Sequence, residues 1–186
     1  MSRIWAVGIL KSKNVPVVAI IAAALAGLGS IALAAQDRYT LQVPNGLSFS
    51  EIKGYEDWQD VAVSQVENGL KVIVANPTMM GAYKAGIPGN GKPFPDGSKI
   101  VKIQWSQKKS TESPYFVMVP DKLMSVSFIV KDTKRFPDTS GWAYAQFSYD
   151  AASDTFKPSG NDAKCGYACH TIVKAKDYIF TAYPPR

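Results

Sequence analysis

Between positions 70 and 149 the chain returns repeatedly to a period of two, and no other feature limits its fold so tightly. Leu70, Val72 and Val74 alternate with Lys71, Ile73 and Ala75. Over 100–105, Val101, Ile103 and Trp105 share one face, and Ile100, Lys102 and Gln104 share the other. Residues 123–130 put Val126, Phe128 and Val130 on one side, and 142–149 set Trp142, Tyr144 and Gln146 against Ala143, Ala145 and Phe147. Such alternation belongs to pleated strands, whose successive side chains point to opposite faces. Residues 116–119 read as a further short strand. The connections are polar and too short for helical crossovers, so the strands are expected to pair antiparallel.

Helical signals are brief. Asn76-Pro77 opens a helix over 77–85, with proline at its first position and Gly86 past its end. A loop rich in Gly and Pro follows over 86–97. Ahead of the strands, 37–47 reads as a polar, extended lead-in. Ser48 or Ser50 then caps a short helical stretch that includes Tyr55 and Trp58. Pro158 and Gly160 break the chain again, and Asn161 or Asp162 is placed to cap a helix running through Cys165 and His170.

At 186 residues the chain has enough length for one core and too little for two. Its N-terminus reads as an export segment. Arg3, Lys11 and Lys13 precede an uncharged apolar run over 15–35, no acidic residue occurs before Asp37, and Ala32-Leu33-Ala34 offers small residues for cleavage. The run is also about 20 residues long, enough to span a bilayer. Residues 1–34 are therefore read as a signal peptide or an N-terminal membrane anchor. Residues 35–186 are read as the exported, periplasmic domain, held at the inner membrane where the anchor is kept. The net charge of +6 falls to +3 without that segment, which holds three basic residues and no acidic one. The remaining lysines are dispersed and form no stripe with aromatics, which excludes a nucleic-acid-binding reading.

The chain's two cysteines and its single histidine stand together as Cys165-Gly166-Tyr167-Ala168-Cys169-His170. A haem carries two vinyl groups, each able to take up a thiol as a thioether, and a histidine directly after the second cysteine can bind the iron. The usual attachment motif has two residues between the cysteines. Here there are three, and a distorted turn must absorb the extra one. A disulfide is the plain alternative in an oxidising compartment. Zinc is the weaker one, since three ligands do not close a structural site. The residues thus point to one haem c per chain, held by Cys165 and Cys169, with His170 as the metal ligand. The expected class is α+β: a mainly antiparallel β-sheet with short helices and a C-terminal haem-attachment helix. No second histidine is available for the other side of the iron. Met79, Met80, Met118 and Met124 remain as candidates for it, or as core residues.

Several further pieces make the exported part similar to a known family. These are Tyr55-Glu56-Asp57-Trp58; the strand 71–75 running into Asn76-Pro77; Phe94-Pro95-Asp96-Gly97 followed by Lys102; Gly141-Trp142-Ala143; and Cys169-His170 followed by 177–181. In this order and spacing they resemble the green-haem cytochromes (cytochrome P460) and their beta-type cytochrome c-prime relatives, over residues 55–186.

The resemblance implies an antiparallel sheet, a homodimer and a five-coordinate haem with His170 as proximal ligand. In green-haem members a lysine is bonded to a meso carbon of the porphyrin, and the matching residue here is Lys102. Periodicity alone reads Lys102 as a solvated strand lysine; the resemblance turns it toward the haem. Those members oxidise hydroxylamine, and nitric oxide chemistry belongs to the same group. The c-prime relatives lack the cross-link and bind gases. Two positions depart from the pattern. Lys71 stands where the green-haem enzymes have Arg, and it is read either as a catalytic pocket residue or as a solvated one. Ser127 stands near a position where some members place a carboxylate able to act as a base. Asp96 and Asp121 are the alternative acids.

Three functions follow as expectations. The first is redox conversion of hydroxylamine or nitric oxide with Lys102 and Lys71 at the site, electrons leaving to a partner cytochrome. The second is nonenzymatic nitric oxide binding. The third is a Met-ligated electron carrier.

Overall fold

In the computed structural model, residues 35–160 and 162–186 are described. The expected export segment and the candidate cap Asn161 lie outside them. The alternating segments pair as their periodicity demands. Six strands, β1 (Gln59–Val66), β2 (Gly69–Ala75), β3 (Lys99–Lys109), β4 (Met118–Lys131), β5 (Trp142–Asp150) and β6 (Thr155–Ser159), form one antiparallel sheet in sequence order. With its short helices the domain is α+β, as expected.

Two strands run against the local signals. β1 is an edge strand with a bulge: Asp60 pairs with Val74 and Ala62 with Ile73, leaving Val61 as the extra residue. The bulge breaks the alternation, so Val61 is buried while Val63 is largely exposed. β6 contains Pro158, which pairs opposite Phe147 and is tolerated because this edge has no further neighbour among the described residues. The short strand expected over 116–119 is not separate. Phe116 is exposed in the β3–β4 connection, and Met118 and Val119 begin β4 itself.

The sheet's first face carries Val74, Val101, Val126, Phe128, Val130, Ala145 and Phe147, all buried. The lead-in, expected to be extended and polar over 37–47, and the short helical stretch after it cover this face. Phe49, Ile52 and Tyr55 insert into it from short 3-10 turns, and Val43 and Leu47 from the loop ahead of them. Phe49 is the hub, meeting Phe147 at 5.0 Å and Phe156 at 5.1 Å between ring centroids. Ser48 caps its turn as expected, accepting from the Ser50 amide. The turn is 3-10 because one turn buries Phe49 and Ile52 and the chain then reverses at Gly54, in the left-handed region.

The second face holds a separate core of Ile73, Ala75, Ile100, Trp142 and Tyr144. Helix α1 (Pro77–Lys84) lies on it through Met79, Met80, Ala82 and Tyr83. Asn76 caps α1 by accepting from the Met79 amide at 3.1 Å, and Pro77 stands in the first turn. The C-terminal segment packs beside α1. Its helix is shorter than expected: α2 spans only Tyr167–His170, and a 3-10 turn, Thr171–Lys176, follows. Asp162 is not its cap. The Asp162 carboxylate accepts from the Lys164 amide at 2.7 Å in the preceding turn, and Cys165 lies ahead of the helix.

Candidate haem pocket

Strand register arranges the second face in rows. Ile73, Lys102, Ser127, Gln146 and Ser159 stand side by side across β2 to β6. On one side of this row lie Ile100, Ile129 and Tyr144, and on the other Ser64, Lys71 and Gln104. All of these but Gln104 floor a cavity of about 550 Å³, closed by Gly160, Cys165, Gly166, His170, Ile179, Phe180 and Thr181. That volume lies in the range of sites that bury a sizeable organic ligand.

His170 is held from three directions. Its Nδ1 lies 2.6 Å from the Tyr178 carbonyl oxygen. A carbonyl only accepts, so Nδ1 carries the proton and Nε2 keeps its lone pair. The imidazole is flanked by Tyr144 and Phe180, each with its ring centroid at 4.8 Å. Burial lowers the imidazole's pKa most; the Tyr178 carbonyl opposes this, and the Lys102 charge adds to the lowering. A neutral imidazole with a fixed tautomer is what an iron ligand requires.

The Tyr178 carbonyl is itself placed by an unusual turn. Asp177 and Tyr178 are consecutive left-handed residues, with φ of 48° and 63°. Surrounding contacts hold this conformation. Asp177 pairs with Lys131, Nζ to Oδ1 at 3.1 Å, and its other oxygen accepts from the Phe94 amide at 2.8 Å. Lys131 also donates to the Ser140 carbonyl at 3.0 Å and sits 4.7 Å above the Trp142 ring. Sequence reasoning missed this support. Its signal was Asp177-Tyr178 in the family-like tail, whereas Lys131 stands 46 residues away with nothing to mark it.

Gly166 lets the cysteine–histidine segment approach β5 closely. A Cβ there would meet Tyr144 Cδ1 at 2.5 Å and Cγ at 2.7 Å, so the motif lies directly against β5. Gly160 has φ of 91° and passes close to Cys165. Cys165 and His170 line the cavity, while Cys169, exposed like Cys165, lies on α2 outside the lining.

Lys102 and Lys71 both line the cavity, against the solvated readings. Burial, and then the Lys71 charge, lowers the Lys102 ammonium's pKa below the ordinary lysine value. Ser127 pairs directly opposite Lys102 and donates to Gln146 Oε1 at 3.2 Å. The alternative acids are elsewhere. Asp96 accepts from the amide and hydroxyl of Thr133, and Asp121 pairs with Lys108 at 3.0 Å. Among the described residues no methionine lines the cavity: Met79 and Met80 are buried in the second core, and Met118 and Met124 belong to β4.

The pocket fits a haem on its own terms. His170 has one nitrogen anchored and the other available, Cys165 stands at the rim, and apolar side chains alternate with polar ones along the floor. Tyr144, also in the lining, keeps its hydroxyl buried with no hydrogen-bond partner among the described residues, a donor that a bound group with acceptor atoms would satisfy. A sheet that floors such a pocket, crossed by a cysteine–histidine segment with a fixed tautomer, suits the class of proteins built around a haem. The family model described as Cytochrome P460 matches residues 52–181, and the chain belongs to that family. Membership makes it a c-type haem protein. No curated protein matches the chain.

Proposed function

We propose that Cys165 and Cys169 hold one haem c as thioethers in this pocket, with His170 as its iron ligand, and that the domain converts a small nitrogen compound, hydroxylamine or nitric oxide. The haem, when bound, supplies one-electron chemistry and an iron with a position for the substrate. The chain supplies the rest. Tyr178, Tyr144 and Phe180 fix the orientation of His170. Ile73, Ile100, Ile129 and Ile179 limit water. Ser127 and Gln146 offer hydrogen bonds to a polar ligand. Lys102, with its charge disfavoured by burial, is the nucleophilic amine facing the pocket, and it is the residue that matches the cross-linking lysine of green-haem proteins. Lys71 stands beside it.

The observation that carries this reading is the lining. Among the described residues it brings in His170, with no second histidine and no methionine, Cys165 being assigned to a thioether. The family resemblance and the N-terminal segment add three parts to the proposal: export to the periplasm, a homodimer, and a partner cytochrome that takes the electrons.

The test is an optical spectrum of the haem-loaded protein, ferric and ferrous, beside Lys102→Ala. A green protein with a red-shifted ferrous Soret band, turned ordinary red by the substitution, establishes the cross-link. Hydroxylamine-driven reduction of an acceptor cytochrome then establishes the reaction. A low-spin six-coordinate spectrum in the wild type overturns the open site.

A second reading, nonenzymatic nitric oxide binding, is favoured by one observation: among the described residues no carboxylate lines the cavity to act as a base. Nitric oxide binding without hydroxylamine turnover selects it.

A further inference from the structure

Lys71 and Lys102 are the two charged side chains that the described residues bring to the cavity besides the titratable His170. Register puts Lys71 opposite Gln104 and Lys102 opposite Ile73, so the lysines are diagonal neighbours on one face of the β2–β3 pair. Diagonal positions lie roughly 7–8 Å apart, within mutual reach of long side chains. Their interaction is registered in Lys102, whose charged form is disfavoured first by burial and then by Lys71.

Among the described residues, the other lysines that are not exposed, Lys99 and Lys131, each meet a carboxylate, Glu51 and Asp177, while most exposed lysines have none. The cavity pair differs. Among the described residues neither Lys71 nor Lys102 has a carboxylate partner, and the lining contains no Asp or Glu. Two like charges on one wall of a partly closed cavity are costly until an anion joins them. Hydroxyl donors stand next to both. Ser64 pairs opposite Lys71, and Ser127 opposite Lys102.

We propose that the Lys71–Lys102 wall is a binding site for a small monovalent anion of the nitrite class, with the two ammonium groups as counter-charge and the Ser64 hydroxyl as hydrogen-bond donor. The inference rests on the proposed haem site, and adds an anionic ligand to the neutral nitrogen compounds proposed for the same cavity. Lys71 carries it in either state of Lys102. A lysine bonded to the porphyrin loses its ammonium character, and Lys71 then stands as the cation.

The experiment titrates the ferric holoprotein with azide as the anionic probe and imidazole as the neutral one, following the Soret band, in wild type, Lys71→Gln and Lys71→Arg. Removing the charge weakens azide by about tenfold, leaves imidazole unchanged, and reduces the loss of azide affinity with added salt. Lys71→Arg keeps azide within a few-fold of wild type. An azide affinity unchanged in Lys71→Gln overturns the proposal and leaves Lys71 as the partner of another carboxylate, such as one on the haem. Equal weakening of azide and imidazole overturns it as well, since the substitution then acts on the fold. A Soret band that answers neither probe means a closed iron and defeats the proposed function. Calorimetry of nitrite with wild type and Lys71→Gln then decides the anion site by itself: heat lost in the variant supports it, and no heat in wild type rejects it.

Discussion

Lys131 and Asp177 meet in a buried ion pair, Nζ to Oδ1 at 3.1 Å, one residue before the carbonyl that receives the His170 proton. Lys131→Met leaves the Asp177 carboxylate buried with the Phe94 amide but without its counter-charge. Breaking such a pair from one side costs about 3–5 kcal/mol. Urea unfolding is expected to show the lowered midpoint. The reduction potential of the loaded protein is expected to shift too, because the Tyr178 turn then no longer fixes the imidazole.

The Gly166 contact makes a sharper packing prediction. Alanine there places a Cβ within 3 Å of three Tyr144 atoms, including its own Cβ, so the ring cannot simply swing aside. Gly166→Ala is expected to destabilise the domain by about 1–3 kcal/mol. It should also lower the fraction of chains carrying covalent haem, read by denaturing gel with haem stain.

His170 predicts a pH dependence before haem is attached. Burial holds its pKa below the ordinary 6.5, so the unfolded chain binds the proton first as pH falls. The stability this represents is fully present above the unfolded value and is lost as pH drops through the lowered folded value. It is the only histidine in the chain. Urea midpoints of haem-free protein at pH 7.5 and 5.5 should therefore differ, and His170→Gln should remove most of the difference.

Tyr144→Phe separates the empty and loaded forms. Removing a buried hydroxyl with no partner relieves a penalty of about 1–3 kcal/mol, so the haem-free protein gains stability. If the hydroxyl meets an acceptor on the bound group, the gain vanishes in the loaded protein. Thermal unfolding of both forms checks this.

The parts of the fold that sequence could reveal are those in which local pattern and tertiary role agree. β2, β3, β4 and β5 each carry one continuous apolar face, packed into the first core, and the alternation shows it. β1 escaped notice because the bulge at Val61 breaks its period, and β6 because Pro158 reads as a breaker until an edge position makes it harmless. The lead-in looked extended because its apolar residues are spaced by turns, without any regular period. At the site, Cys165, Cys169 and His170 were legible as chemistry, and Lys102 and Lys71 only through family resemblance, since alternation assigns a face without saying what covers it. The partners of His170 were not legible. They depend on two successive left-handed residues and on a lysine from a distant strand, neither of which leaves a periodic trace.

Every neighbour in the sheet is also a neighbour in the chain, so the platform is built from successive hairpins and closes few long loops. Its last pairing, Ser159 with Gln146, lies wholly ahead of Cys165 in the chain. The tail that follows is laid across the platform, not paired into it. It is no detachable clasp, because Asp177, Tyr178 and Ile179 return to the platform and close its second core, so a chain cut before Cys165 would lose part of the platform along with its fastening.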